Sequence, residues 1–339
     1  LVCQRRLRLL DTPYGLFAVL LLSFATATAD DVVTFLAKDG KQTLKRKGTI
    51  DDYTGEGVVL TSAQGRQETI PLDRLLSIQT AATDEETQGD ALRRKGDLAG
   101  AIEAYKKART GESRKWGQRR IAAKLVDAYD AAGKIDSAVE EFLPLIAADD
   151  QSPHFAMIPL AWRSASDEGV VATKAERWMS DSKQPAAVLI GASWLLVGPQ
   201  RQKAITALKS ISTDLDPRIA HLASAQLWRT LLVTAQEADV ARWQAQIARI
   251  PAELRAGPQL VLGDALLRLG RTDEALLAYL EGPLCGSPRE SLAGTALLAA
   301  ARAMEKEKRS DEAQRLLEKI RDDYPAFART HDVAASGGK

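Results

Sequence analysis

The sequence predicts a mostly α-helical chain, an α-solenoid of helical hairpins preceded by a small all-β barrel domain. Three observations carry this reading. A motif of a turn residue, an Ala five positions later and a large apolar residue four beyond that recurs four times after residue 95. Ala, Leu and Arg dominate the composition, which favours helix over sheet by intrinsic propensity. Short β-rich runs separated by Gly-containing turns are confined to residues 31–80. With 339 residues, 45% hydrophobic and 27% charged, the chain has ordinary globular usage and enough length to bury a core without disulfide or metal staples. That composition excludes a disordered tail, a disulfide-dense miniature domain and a multi-span membrane protein.

Residues 1–29 have the layout of a secretory signal peptide. Arg5, Arg6 and Arg8 form a basic head, Leu16–Phe24 is a short apolar middle, and Ala27-Thr28-Ala29 places small residues where a signal peptidase reads them. The apolar run is shorter than the roughly 20 residues needed to span a bilayer. An uncleaved N-terminal anchor is the alternative, so the expected location is the periplasm or cell envelope, either free or membrane-anchored. Cys3 falls in the segment expected to be lost, which leaves Cys285 single and without an internal disulfide.

Residues 30–82 read as five strands. Val32–Leu36 ends at the hairpin dipeptide Asp39-Gly40. A second strand covers Leu44–Asp51, Val58–Thr61 follows Gly55 and Gly57, and Gln67–Ile70 returns after the Gln64-Gly65 turn. Leu75–Gln79 closes the set after Pro71. This pattern, with "GTIDDYTGEGVVL" and then "IPLDRLLSI", resembles SH3-like and Sm-like small barrels. Sm-like relatives often bind RNA, but Leu76-Ser77-Ile78 stands where their I-x-G signature is expected, so RNA binding is not carried over.

Residues 83–330 repeat. The four units are Gly96…Ala101…Tyr105, Gly133…Ala138…Phe142, Gly270…Ala275…Tyr279 and Lys308…Ala313…Leu317. Gly permits the left-handed cap that ends a first helix, Asp or Ser restarts the second, and Ala is small where the two helices touch. The aromatic or Leu side chain four residues on lies on the same helix face and fills the gap to the next hairpin. Leu262-Gly263 lies ahead of Ala275, Tyr129 nine residues before Ala138, and Pro325 twelve after Ala313. The set resembles the tetratricopeptide repeat, without its first-helix Trp. Weaker units keyed on Ala175, Ala204 and Ala241 bring the total to about seven hairpins, spaced around the repeat's usual length of about 34 residues. Residues 331–339 are expected to form a flexible tail.

No catalytic constellation emerges from the sequence. His154, His221 and His331 have no partner at metal-ligand spacing, and neither a nucleophile elbow nor a phosphate-binding glycine loop is present. No metal or cofactor is therefore expected. Lys plus Arg (46) nearly balances Asp plus Glu (45), which argues against nucleic-acid affinity.

One run stands above background. Arg114, Lys115, Trp116, Arg119 and Arg120 would clamp an acidic peptide or polyanion, with Trp116 as anchor. The plainer reading is a basic, exposed first helix of the second repeat. All six tryptophans lie between Trp116 and Trp243, either lining a concave groove or packing hairpins together.

The resemblance implies a non-catalytic scaffold or adaptor that binds a partner protein or peptide on the solenoid surface. The alternatives are an envelope enzyme or carbohydrate-binding protein, which would gather perturbed carboxylates in one pocket, and a self-associating structural protein.

Overall fold

Strand β1 (Asp31–Leu36) is an inner strand of the N-terminal sheet in a computed structural model that describes residues 31–163, 168–284, 289–331 and 333. The signal segment, Cys3, Cys285 and residues 334–339 lie outside the described residues. β1 is joined by β2 (Thr43–Thr54), β3 (Gly57–Thr61), β4 (Gln67–Ile70) and β5 (Leu75–Gln79). The sheet is antiparallel throughout, in the order β4-β3-β2-β1-β5. β2 is long enough to serve two ladders, pairing with β1 through residues 43–48 and with β3 through residues 49–54. Its register shifts between Ile50 and Asp52, so the strand bends and the sheet curls around Val33, Phe35, Ile50, Val58, Leu60 and Ile70.

Among the described residues fourteen α-helices follow: α1 (Asp84–Arg94), α2 (Leu98–Gly111), α3 (Lys115–Ala131), α4 (Ile135–Ala147), α5 (Glu168–Met179), α6 (Pro185–Leu195), α7 (Arg201–Ile211), α8 (Pro217–Trp228), α9 (Glu237–Ile247), α10 (Ala256–Arg268), α11 (Thr272–Leu284), α12 (Glu290–Lys306), α13 (Ser310–Asp323) and α14 (Pro325–Thr330). They form a repeating solenoid of hairpins. Gly96, Gly133 and Gly270 take φ of 74°, 70° and 79°, and Lys308 takes the same conformation at 60°. After each of the four, the next N–H reaches back five residues: Asp97 to Leu92, Lys134 to Tyr129, Arg271 to Leu266 and Arg309 to Met304. These are Schellman closures, and they satisfy carbonyls that a helix end leaves open. Pro325 occupies the first turn of α14, where a missing N–H does no harm.

The expected packing residues are buried. Ala101, Ala138 and Ala275 are fully enclosed and Ala313 nearly so, and Tyr105, Phe142, Tyr279 and Leu317 fill the spaces beside them. Ala175 and Ala204 behave alike, but Ala241 does not. It is exposed, and Val240 occupies the buried position one residue earlier.

The third unit also departs from expectation, because among the described residues no first helix precedes α5. A 3-10 turn (Phe155–Met157) leads into an extended run, 158–162, that is buried along its whole length. Pro159 explains the break, since it disfavours helical conformation at Ile158 and donates no hydrogen bond itself. Extended backbone in an interior needs partners for its polar groups, and long side chains from the surrounding helices supply them. Trp194 Nε1 donates to the Pro159 carbonyl at 3.0 Å, and Gln226 Nε2 and Arg229 Nη1 donate to that of Ala161 at 3.0 and 2.8 Å. Arg289 Nη1 donates to those of Ile158 and Leu160 at 2.9 and 3.2 Å, and Ser193 Oγ accepts the Ala161 N–H at 3.1 Å.

The array curls until its ends meet. At the start of α12, Arg289 pairs with Asp130 of α3 at 2.7 Å, and the Glu290 N–H donates to Asp127 at 3.1 Å. Arg329 of α14 donates to the Gly96 carbonyl in the first hairpin. Val333 is buried against the main core, so packing continues three residues past the expected end of the array. No helix of the described residues is long and apolar enough to cross a membrane.

Candidate functional site

The basic run does not form an open docking face. Trp116 is 1% exposed and closes the open side of the sheet core, its Nε1 donating to the Ile50 carbonyl at 2.9 Å. Arg114 forks onto Glu112 at 2.9 and 2.7 Å, reaches Thr80 at 3.1 Å and stacks 4.8 Å from the Trp116 ring. Arg119 holds Asp52 and the Tyr53 carbonyl on β2. Arg120 makes a bidentate pair with the enclosed Glu86 of α1 at 2.6 and 2.7 Å. Of the five residues, only Lys115 is exposed. The physical reason is that a small sheet leaves one side of its core uncovered, and α3 covers it with Trp116 while the flanking arginines pair with carboxylates. His154 is part of this seam. Its ring meets Tyr53 edge to face at 5.7 Å, and its Nε2 has no hydrogen-bond partner. Burial, reinforced by Arg119 and Arg120, pushes His154 down to about 4.

The tryptophans pack elements together. Trp228 and Trp243 stack at 5.2 Å, Trp194 holds the extended run, and Trp162 lies against Gly257, where any Cβ would overlap its ring.

The concentration of ionisable groups lies where the ends of the array meet. Arg93 of α1 bridges Asp127 of α3 and Glu290 of α12, the latter at 2.9 Å. The Asp127 and Glu290 side chains are 3% and 9% exposed. Burial pushes both carboxyls upward, against the pull of Arg93. Beside this joint lies a cavity of about 520 Å³ lined by Asp90, Arg93, Arg94, Tyr105, Glu290, Asp323 and Tyr324. Asp90 accepts from Tyr105 Oη at 2.7 Å and from Lys124 Nζ at 2.7 Å. Those two bonds hold its carboxyl below the ordinary value although burial acts the other way.

The Asp90–Tyr105 bond has a counterpart in the sixth hairpin, where Tyr279 Oη donates to Asp264 at 2.7 Å. In both places a glycine, Gly89 or Gly263, precedes the Asp, and a Cβ there would strike the Tyr ring. Both bonds share one sequence signal, Gly-Asp with Tyr fifteen residues after the Asp.

A second cleft, about 460 Å³, lies against the extended run and is lined in part by Trp162, Leu196, Val197, Arg201 and Leu232. Val197, Leu231 and Val233 are exposed by 40%, 41% and 76%. Among the described residues no group of three or more His, Cys, Asp or Glu could hold a metal ion.

No curated protein matches the chain. The tetratricopeptide repeat family model matches residues 295–326, which run from α12 through Ala313 to Pro325 and the start of α14.

Proposed function

We propose that this protein is a non-catalytic interaction scaffold of the cell envelope, taking a partner protein or peptide on the outer surface of its solenoid. The observation that carries the reading is the run of stacked hairpins with a tetratricopeptide match at its end, since such repeats in general serve protein–protein interaction. In this reading the N-terminal sheet is an SH3-like or Sm-like barrel fixed to the array as a cap. The docking surface is the edge bearing Val197, Leu231 and Val233 next to the Trp162 cleft, because large apolar side chains left in water mark interaction sites.

The test is photo-crosslinking from position 231 in envelope extract, with Val233→Lys as control. A discrete adduct that Val233→Lys abolishes supports the surface, and adducts unaffected by that change remove it. N-terminal sequencing of the exported protein tests the location, and an intact residue 1–29 segment would make it membrane-anchored. One observation favours a second reading as an enzyme: the raised carboxyls of Asp127 and Glu290 at the joint. Both serve Arg93 in holding three hairpins together, and structural ion-pair networks perturb carboxyls in the same way.

A further inference from the structure

We infer that the partner taken by the edge bearing Val197, Leu231 and Val233 presents an acidic peptide segment, in which carboxylates flank large apolar side chains. The inference rests on the docking surface proposed above and names the chemistry of what binds there.

The apolar half of the match comes from the cleft beside the extended run. Trp162 and Leu196 are buried on its wall, Leu232 is half-buried, and Val197 carries the same lining out into water. Leu231 and Val233 flank Leu232 in the chain and stand exposed beyond it. A partner that covers this edge gains by burying its own large apolar side chains against it.

The charged half comes from two arginines at the same edge. Arg201 lines the cleft and is exposed, and its guanidinium has no hydrogen-bond or ion-pair partner among the described residues. Arg268 is exposed beside Val233, where it donates to the Val233 carbonyl at 3.0 Å and meets no carboxylate among the described residues. Asp264 on the cleft wall accepts from Arg163 and from Tyr279 Oη, so it is already engaged. Arginines at the starts of α11 and α13 are treated differently. Arg271 is held by Glu237 and Glu274, and Arg309 by Asp273 and Glu312. The first turn of α7, which opens on Arg201, carries no acid that could do the same.

Guanidinium groups bind carboxylates through paired, planar hydrogen bonds, and complementary charge around an apolar contact selects the partner. A basic segment would be repelled by Arg201 and Arg268, and a neutral one would leave both without a carboxylate. An apolar segment edged with Asp or Glu satisfies the whole surface.

The experiment is selection of a phage-displayed random dodecapeptide library on the full chain, with Val233→Ser identifying the peptides that need the apolar edge. Synthetic copies of those peptides are then titrated by fluorescence anisotropy. We expect them to carry Asp or Glu beside Leu, Phe or Trp, and to lose at least about tenfold in affinity for Arg201→Gln/Arg268→Gln. Replacing their carboxylates by the corresponding amides should weaken binding as much. Arg201→Gln alone changes a side chain that makes no hydrogen bond, which keeps the test decisive if the double variant folds poorly. Val233-dependent peptides that are neutral or basic, or that bind the arginine variants unchanged, overturn the acidic partner and leave the docking surface standing. If no selected peptide depends on Val233, the surface is removed and the acidic partner with it.

Discussion

Trp116 shows how one side chain can join two parts of a chain. It lies on α3, yet its ring completes the core of the sheet and its Nε1 bonds Ile50. Trp116→Ala should destabilise the fold by about 3–5 kcal/mol, and Trp116→Phe, which retains an aromatic ring but removes the N–H, by about 1–3 kcal/mol. Denaturant unfolding checks both, and a loss below about 1 kcal/mol for the alanine variant would contradict this role. His154 gives the same seam a pH dependence. Its folded pKa is about 4 against an ordinary 6.5, so the neutral ring is preferred in the folded state. The stability it contributes is present above pH 6.5 and lost as the pH falls through about 4. His154→Phe retains a ring against Tyr53 and should flatten the thermal-melting profile across that window. An equally steep profile in the variant would refute the assignment.

At the scale of elements, the second helices obey a simple rule and the first helices do not. Each second helix sets a small or slender residue against its partner, from Ala101 to Ala313, so a period was readable from alanines alone. Val240 escaped that search because valine fills the position as well as alanine does. The missing first helix of the third unit was foreshadowed by Pro159. Its replacement by a buried extended run was not, because the donors that stabilise the run come from Trp194, Gln226, Arg229 and Arg289, 35 to 131 residues away in sequence. The last hairpin closes on Lys308 where the others close on glycine, at a φ of 60°. Left-handed backbone is unfavourable for a residue with a Cβ, so Lys308→Gly should raise stability by about 1 kcal/mol. A drop in melting temperature for that variant would show that the Lys308 side chain contributes more than its backbone strain removes.

For the whole molecule, the decisive feature is that the array meets itself. Hairpins stacked by nearest-neighbour contacts alone would form an open rod. Here Asp127 and Asp130 of the second hairpin hold Glu290 and Arg289 of the last. Asp130→Ala removes the carboxylate opposing a guanidinium that is 7% exposed, and breaking such a buried pair costs about 3–5 kcal/mol. The variant should lose that much in denaturant unfolding and show a larger radius of gyration by solution scattering. An unchanged radius together with unchanged stability would mean that the joint does not hold the ends together. The basic run belongs to this scale too. As a string of residues Arg114–Arg120 looks like a surface, because the carboxylates that pair with Arg119 and Arg120, Asp52 and Glu86, lie some 34 to 67 positions away.

The sequence by itself determined the local structure: the five strands, the helix ends marked by glycine and proline, and the alanine positions that set the hairpin period. Each follows from backbone sterics and from side-chain size within a short window. Tertiary structure alone decided that α3 completes the sheet core, that an extended run threads the interior, and that the last hairpin docks on the first. Those outcomes depend on which buried charges and carbonyls find partners from 35 to more than 200 residues away, and no local pattern encodes that pairing.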